Sequence, residues 1–176
     1  MQRVDRAHMR FLRALRNSRS LIIAAVIAAV CAYISAFHVQ LLLIRGNSMT
    51  PTYSSFTFAL LNKHETTPER GDVIAFRVPG VKGALIKRVV GIPGDVLYAS
   101  DAAIQLNGVI HPDYTGLRYD GILNREIRLA EGEYFVMGDN TEESRDSRYE
   151  EIGIIHRDQI YGTVVPKRSY KTLKRE

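Results

Sequence analysis

Two residue types in this chain can form a proton-transfer pair without histidine: Ser48 in Gly46-Asn47-Ser48-Met49-Thr50, and Lys87 in Leu85-Ile86-Lys87-Arg88-Val89-Val90. A serine hydroxyl is a weak nucleophile until a base removes its proton. In an extended Leu85–Val90 the side chains alternate, so Leu85, Lys87 and Val89 share one face and Ile86, Arg88 and Val90 the other. If the Leu85 face is covered, Lys87 is desolvated, its ammonium is disfavoured and its pKa falls, which gives a neutral amine able to act as general base. The plainer alternative is an edge-strand lysine that keeps its ammonium in water. Other chemistries have less support. The five histidines, at positions 8, 38, 64, 111 and 156, show no metal-binding spacing. The serine lacks the second glycine of a G-x-S-x-G elbow, and the chain lacks the α/β alternation that motif needs.

The elements that must position these residues read as β. Phe56–Leu61, Val73–Val78, Leu85–Ile92, Val96–Tyr98, Tyr134–Met137 and Ile160–Val165 are short runs rich in Val, Ile, Phe and Tyr, separated by turn signals such as Pro93-Gly94-Asp95 and Gly138-Asp139-Asn140. Asn107-Gly108 between Ile104 and Ile110 predicts a hairpin with a type I′ turn. Residues 111–133 are polar and weakly patterned, and 101–133 as a whole reads as a small hairpin or flap insertion. The expected architecture is mostly β: a compact antiparallel β-sheet catalytic domain at 45–165, behind one N-terminal transmembrane helix. A basic tail follows at 166–176.

Charge and hydropathy place the anchor. Residues 1–20 carry six Arg and one Asp; residues 21–165 carry 13 basic and 17 acidic side chains. The basic excess is thus terminal, as expected beside anionic lipid, and no basic stripe crosses the middle to meet nucleic acid. Ser20–Ile44 has no charged residue. At about 1.5 Å per helical residue it spans about 30 Å of hydrocarbon, so 21–44 is read as a transmembrane segment, with 1–20 cytoplasmic. A cleavable signal peptide ending near Ala36, a lipoprotein signal at Cys31 and a buried core helix are the alternatives. The lone Cys31 excludes an intrachain disulfide.

Four segments, in order, resemble the catalytic boxes of signal peptidase I. They are Ser48-Met49-Thr50-Pro51-Thr52, Arg70-Gly71-Asp72-Val73-Ile74-Ala75-Phe76, Lys87-Arg88-Val89-Val90-Gly91-Ile92-Pro93-Gly94-Asp95, and Gly138-Asp139-Asn140-Thr141-Glu142-Glu143-Ser144-Arg145-Asp146-Ser147-Arg148. The resemblance implies a serine endopeptidase that removes N-terminal signal peptides from exported precursors after small residues at −1 and −3. Ser48 matches the nucleophile, Lys87 the general base and Ser144 the serine that orients the lysine amine. Asp146 and Arg148 match a structural ion pair. Ile44, Met49, Tyr53, Leu85 and Ile86 would line the −1 pocket. The Ser48 N–H would form part of the oxyanion hole; Gly46 stands where some members carry a second, hydroxyl donor, and Thr141 where many carry Arg. The partners implied are signal-peptide-bearing precursors and membrane lipid, with no metal, no cofactor and no nucleic acid. The location implied is the bacterial cytoplasmic membrane, single-pass, with the catalytic domain outside the cytoplasm.

Three other functions compete. A conjugation-type pilin-processing relative shares the serine–lysine pair. A self-cleaving repressor also does, but no helix-turn-helix precedes the β region here. An anchored binding module would need neither Ser48 nor Lys87.

Overall fold

A computed structural model describes residues 19–33, 36, 38–100, 103–111, 114 and 125–165. The chain divides into two compact units, Met1–Val39 and Gln40–Glu176. In the first, residues 19–33 form a helix, α1. Its Leu21, Ile22, Ile23, Val26, Ile27 and Val30 are exposed. Among the described residues no helix is long and apolar enough to cross a membrane. The basic segment 1–18 and the tail 166–176 lie outside the described residues.

The second unit is built from β1 (Val39–Leu43, which starts at the boundary), β2 (Phe58–Asn62), β3 (Val73–Phe76), β4 (Leu85–Gly91), β5 (Val96–Ser100), β6 (Ala103–Leu106), β7 (Val109–Ile110), β8 (Ile127–Arg128), β9 (Glu133–Met137), β10 (Ile155–His156) and β11 (Ile160–Val165). Seven of them form one sheet in the order β1-β2-β11-β3-β4-β9-β10, and four form a second in the order β7-β6-β5-β8. The neighbours β2/β11/β3/β4/β9/β10 and β7/β6/β5/β8 all pair antiparallel.

Two expectations change. The reading of residues 21–44 as one apolar span fails at its end, because Val39–Leu43 is a strand. The reason is visible in its period: Leu42 packs against the core while Leu41 and Leu43 are exposed, which is the alternation of a half-buried strand. And the expected single sheet is two. The segment read as an insertion supplies β6, β7 and β8 to the second sheet, while 101–102, 112–113 and 115–124 lie outside the described residues. The Asn107-Gly108 turn is as expected, with φ of 54° and 79°.

The sheets share a core. Leu97, Ile104 and Leu129 pack with Val90, Phe135 and Met137 of the larger sheet. Arg70 reinforces the joint: it donates to the Val90 carbonyl at 2.5 Å and to both Asp95 carboxylate oxygens at 2.8–2.9 Å. Burial alone would raise the Asp95 pKa. Arg70, the Ile92 N–H and the Asn107 amide outweigh it and hold the carboxyl below its usual range. Asp72 caps its own turn by accepting the Glu69 N–H at 3.0 Å.

Candidate active site

The serine sits on a turn that follows β1. The chain is first tied to the segment before β2 by Ile44 N–H to the Thr57 carbonyl (2.9 Å) and Phe56 N–H to the Ile44 carbonyl (2.7 Å). It then turns through Thr50 N–H to Asn47 O (3.1 Å) and Tyr53 N–H to Met49 O (2.8 Å). Met49 and Tyr53 are buried in a cluster with Ile44, Leu61, Val73 and Val164, so the turn is nailed to the core on both sides of Ser48. Ser48 itself is half-buried.

The lysine sits inside the larger sheet. β4 pairs with β3 on one side and β9 on the other, so Lys87 is not on an edge. Its cross-strand partner is Ile74, and Leu85 and Val89 join Ile74 and Phe76 in one apolar cluster while Ile86 packs in another. The face shared by Leu85, Lys87 and Val89 is therefore covered, and Lys87 is only 4% exposed. Its Nζ donates to Ser48 Oγ at 2.6 Å. Burial lowers its pKa from 10.5 to about 8; Asp146 and Asp139 pull it back up, and Arg148 adds to the lowering.

The turn after β9 packs against both. Asp146, fully buried, accepts Arg148 Nε (2.8 Å) and Nη2 (3.0 Å) and also the Gly138 N–H (3.0 Å). Arg148 further donates to the carbonyls of Thr141 (2.8 Å) and Ser144 (3.1 Å). The expected bond between Ser144 and the lysine amine is not formed. Ser144 is buried, but its Oγ has no hydrogen-bond partner among the described residues, and Lys87 gives its bond to Ser48 instead. Gly138 is fixed by sterics: a Cβ there would collide with Ser144 Oγ and with the Ser48 carbonyl oxygen.

A second buried ion pair emerges from the structure. Arg88 donates through Nε and Nη2 to Asp139 at 2.7 and 2.6 Å and through Nη1 to the Gly71 carbonyl at 2.6 Å. Thr52 Oγ1 donates to the same carboxylate at 2.5 Å. Burial works against the Arg88 charge, but Asp139 outweighs it and holds the pKa above the ordinary value. Thus Asp139 fastens the serine turn, through Thr52, to the residue next to the lysine. In the sequence, Arg88 is marked by standing, with Lys87, among apolar residues of one strand; its pairing with Asp139 is not.

A cleft of about 190 Å³ opens at the pair. Ile44, Met49, Leu85 and Ile86 line it with Ser48 and Lys87, and Leu43, Arg45 and Ala84 complete it. Tyr53, expected in this lining, is not part of it and packs in the core with Leu61 and Val164. Among the described residues no group of His, Cys, Asp and Glu is arranged to hold a metal ion.

The sequence family described as signal peptidase, peptidase S26, matches residues 15–167. The chain is 30% identical over 160 residues to signal peptidase I of Bacillus licheniformis, covering 82% of this chain and 83% of that one. It is 30% identical over 163 residues to signal peptidase I T of Bacillus subtilis, covering 85% of this chain and 82% of that one. A crystal structure of a signal peptidase I from Enterococcus faecalis is similar with a TM-score of 0.41 and 27% identity, over 55% of this chain and 95% of that one.

Proposed function

Because the chain belongs to the signal peptidase S26 family, we propose that it is a serine endopeptidase that removes N-terminal signal peptides from exported precursors after small residues, with Ser48 as nucleophile and Lys87 as general base. The observation that carries this reading is the 2.6 Å contact between Lys87 Nζ and Ser48 Oγ, made by a lysine with 4% exposure. A buried amine with a pKa of about 8 is neutral in a useful fraction of molecules near neutral pH.

The chemistry then follows. Neutral Lys87 takes the Ser48 proton as Oγ attacks the scissile carbonyl. The tetrahedral oxyanion is met by the Ser48 N–H. Lys87 returns the proton to the leaving amine, which frees the mature protein and leaves the signal peptide esterified to Ser48. Water, deprotonated by the same lysine, releases it. The cleft walled by Ile44, Met49, Leu85 and Ile86 gives a small apolar side chain such as alanine a seat beside the pair.

The setting proposed is the bacterial cytoplasmic membrane, with the N-terminus in the cytoplasm and the body outside it. The six arginines before the apolar run support that orientation. Leu41, Leu43, Phe56, Phe58 and Leu60 are all exposed on the β1/β2 edge of the sheet, an apolar group suited to lipid rather than water.

Incubation of the purified full chain with a secretory precursor, beside a Ser48→Ala control, tests the reading. The expected result is one cut after a small residue by the wild type and none by the control. A precursor left whole by both, or cut by both, overturns it.

A further inference from the structure

The carbonyl of Asn47 is the most heavily engaged acceptor in the serine turn. It receives the Thr50 N–H at 3.1 Å, the Thr50 hydroxyl at 2.8 Å and the Asn140 side-chain amide at 3.3 Å. The same Asn140 amide also donates to Thr50 Oγ1 at 3.2 Å, which links two of the three donors. A carbonyl oxygen has two lone pairs, so three donors saturate it. The next carbonyl, that of Ser48, is also held, by the Asn140 backbone N–H at 3.0 Å.

Neither contact involves the serine hydroxyl, and their effect is on the backbone. The peptide unit joining Asn47 to Ser48 is planar and trans, so its N–H points opposite to its C=O. Fixing the Asn47 carbonyl from one side therefore fixes the direction of the Ser48 N–H on the other. That N–H has no hydrogen-bond partner among the described residues. The neighbouring Gly46 N–H is already spent on Ser55 Oγ at 3.0 Å, and Gly46 brings no side-chain donor. A free donor with its direction set in advance is what stabilises a developing oxyanion without reorganisation.

We propose that Asn140 and Thr50 are positioning residues for the oxyanion hole, acting through the Asn47 carbonyl to aim the Ser48 N–H at the transition state. The proposal rests on the reading of Ser48 as the nucleophile of a peptidase. It assigns the two residues no contact with substrate and no part in proton transfer, so their removal must lower the chemical rate alone.

The test uses the full chain in detergent and an internally quenched peptide with alanine at −1 and −3. Asn140→Ala and Thr50→Val should each lower kcat about tenfold or more, short of the about 10²–10³ expected for loss of a whole donor. KM should stay within about twofold, and the midpoint of the pH–rate profile should not move. Thr50→Ser keeps the hydroxyl and should retain wild-type kcat. Because they share one acceptor, the two lesions combined should cost less than their product. If Asn140→Ala does not fold, the Thr50→Val and Thr50→Ser pair decides. Folded variants with unchanged kcat, a loss confined to KM, or a shifted pH midpoint would each overturn the proposal. A wild type that cleaves the peptide while the variants behave in one of those ways refutes the positioning role alone. A wild type that does not cleave refutes the peptidase reading and this proposal with it.

Discussion

Lys87 Nζ and Ser48 Oγ lie 2.6 Å apart although 39 residues separate them in sequence. The lysine is central in its sheet, so the contact is made by burial, and burial is also what lowers its pKa to about 8. Cleavage should therefore rise with pH through a midpoint near 8 in kcat/KM, far below the about 10.4 of a free lysine. Lys87→Arg keeps the charge but does not deprotonate in this range, so it should be folded and inactive. A pH–rate profile flat from pH 6 to 9, or cleavage by the arginine variant, would remove Lys87 from the mechanism.

The same burial has a stability cost with a definite sign. The folded-state pKa lies below the unfolded value, so between about pH 8 and 10.5 the unfolded chain binds more protons than the folded one. Stability contributed by this group therefore rises with pH across that window, and the full penalty is present below it. Lys87→Met, of similar volume and with nothing to neutralise, should be more stable than wild type at pH 7 by up to about 3 kcal/mol. That gain should shrink toward pH 10.5. Urea midpoints at pH 7 and pH 10 check both the gain and its direction.

Asp146→Ala should be among the most damaging single changes. It strands the Arg148 guanidinium, 1% exposed, and removes the acceptor of the Gly138 N–H. Breaking a buried pair from one side costs about 3–5 kcal/mol. Thermal melting should show the loss, with activity falling in parallel because Gly138 abuts the Ser48 carbonyl. A variant that melts with wild type would make the pair dispensable.

Gly138→Ala separates geometry from stability. The added methyl must displace Ser144 Oγ or the Ser48 carbonyl. Overpacking of this kind costs about 1–3 kcal/mol, which a folded domain can survive. The serine turn cannot shift without disturbing its contact to Lys87, so cleavage should fall far more than the melting temperature. Full activity in the alanine variant would show that the turn has slack at this point.

Much of this was legible before any coordinates. Runs of Val, Ile and Phe marked the strands, because strand formation rests on local pattern, and Asn107-Gly108 marked its hairpin through φ alone. Alternation along Leu85–Val90 put Lys87 on one face with Leu85 and Val89; that this face is covered depends on strand order and came from the structure. What escaped had non-local causes. Val39–Leu43 looked like the end of an apolar span because hydropathy does not record which backbone partner waits; β2 converts it to a strand. Tyr53 packs beside Leu61 and Val164, residues distant in sequence, rather than in the cleft. The Arg88–Asp139–Thr52 knot joins residues 87 positions apart, a pairing no local pattern encodes. Asn140 is an ordinary turn residue in sequence, and only its three donated bonds give it another standing.

The strand order carries a last consequence. β11, the last strand among the described residues, lies between β2 and β3. Among the described strands, the backbone ladder between the part of the sheet that leads to Ser48 and the part that holds Lys87 thus runs through Ile160–Val165; the other links are bonds of side chains and turns, such as Asn140 to Ser48 and Thr52 to Asp139. Without that strand inserted, β1-β2 and β3-β4-β9-β10 share no strand pairing. The meeting of Ser48 and Lys87 is therefore a product of the closed sheet as a whole rather than of either of its parts.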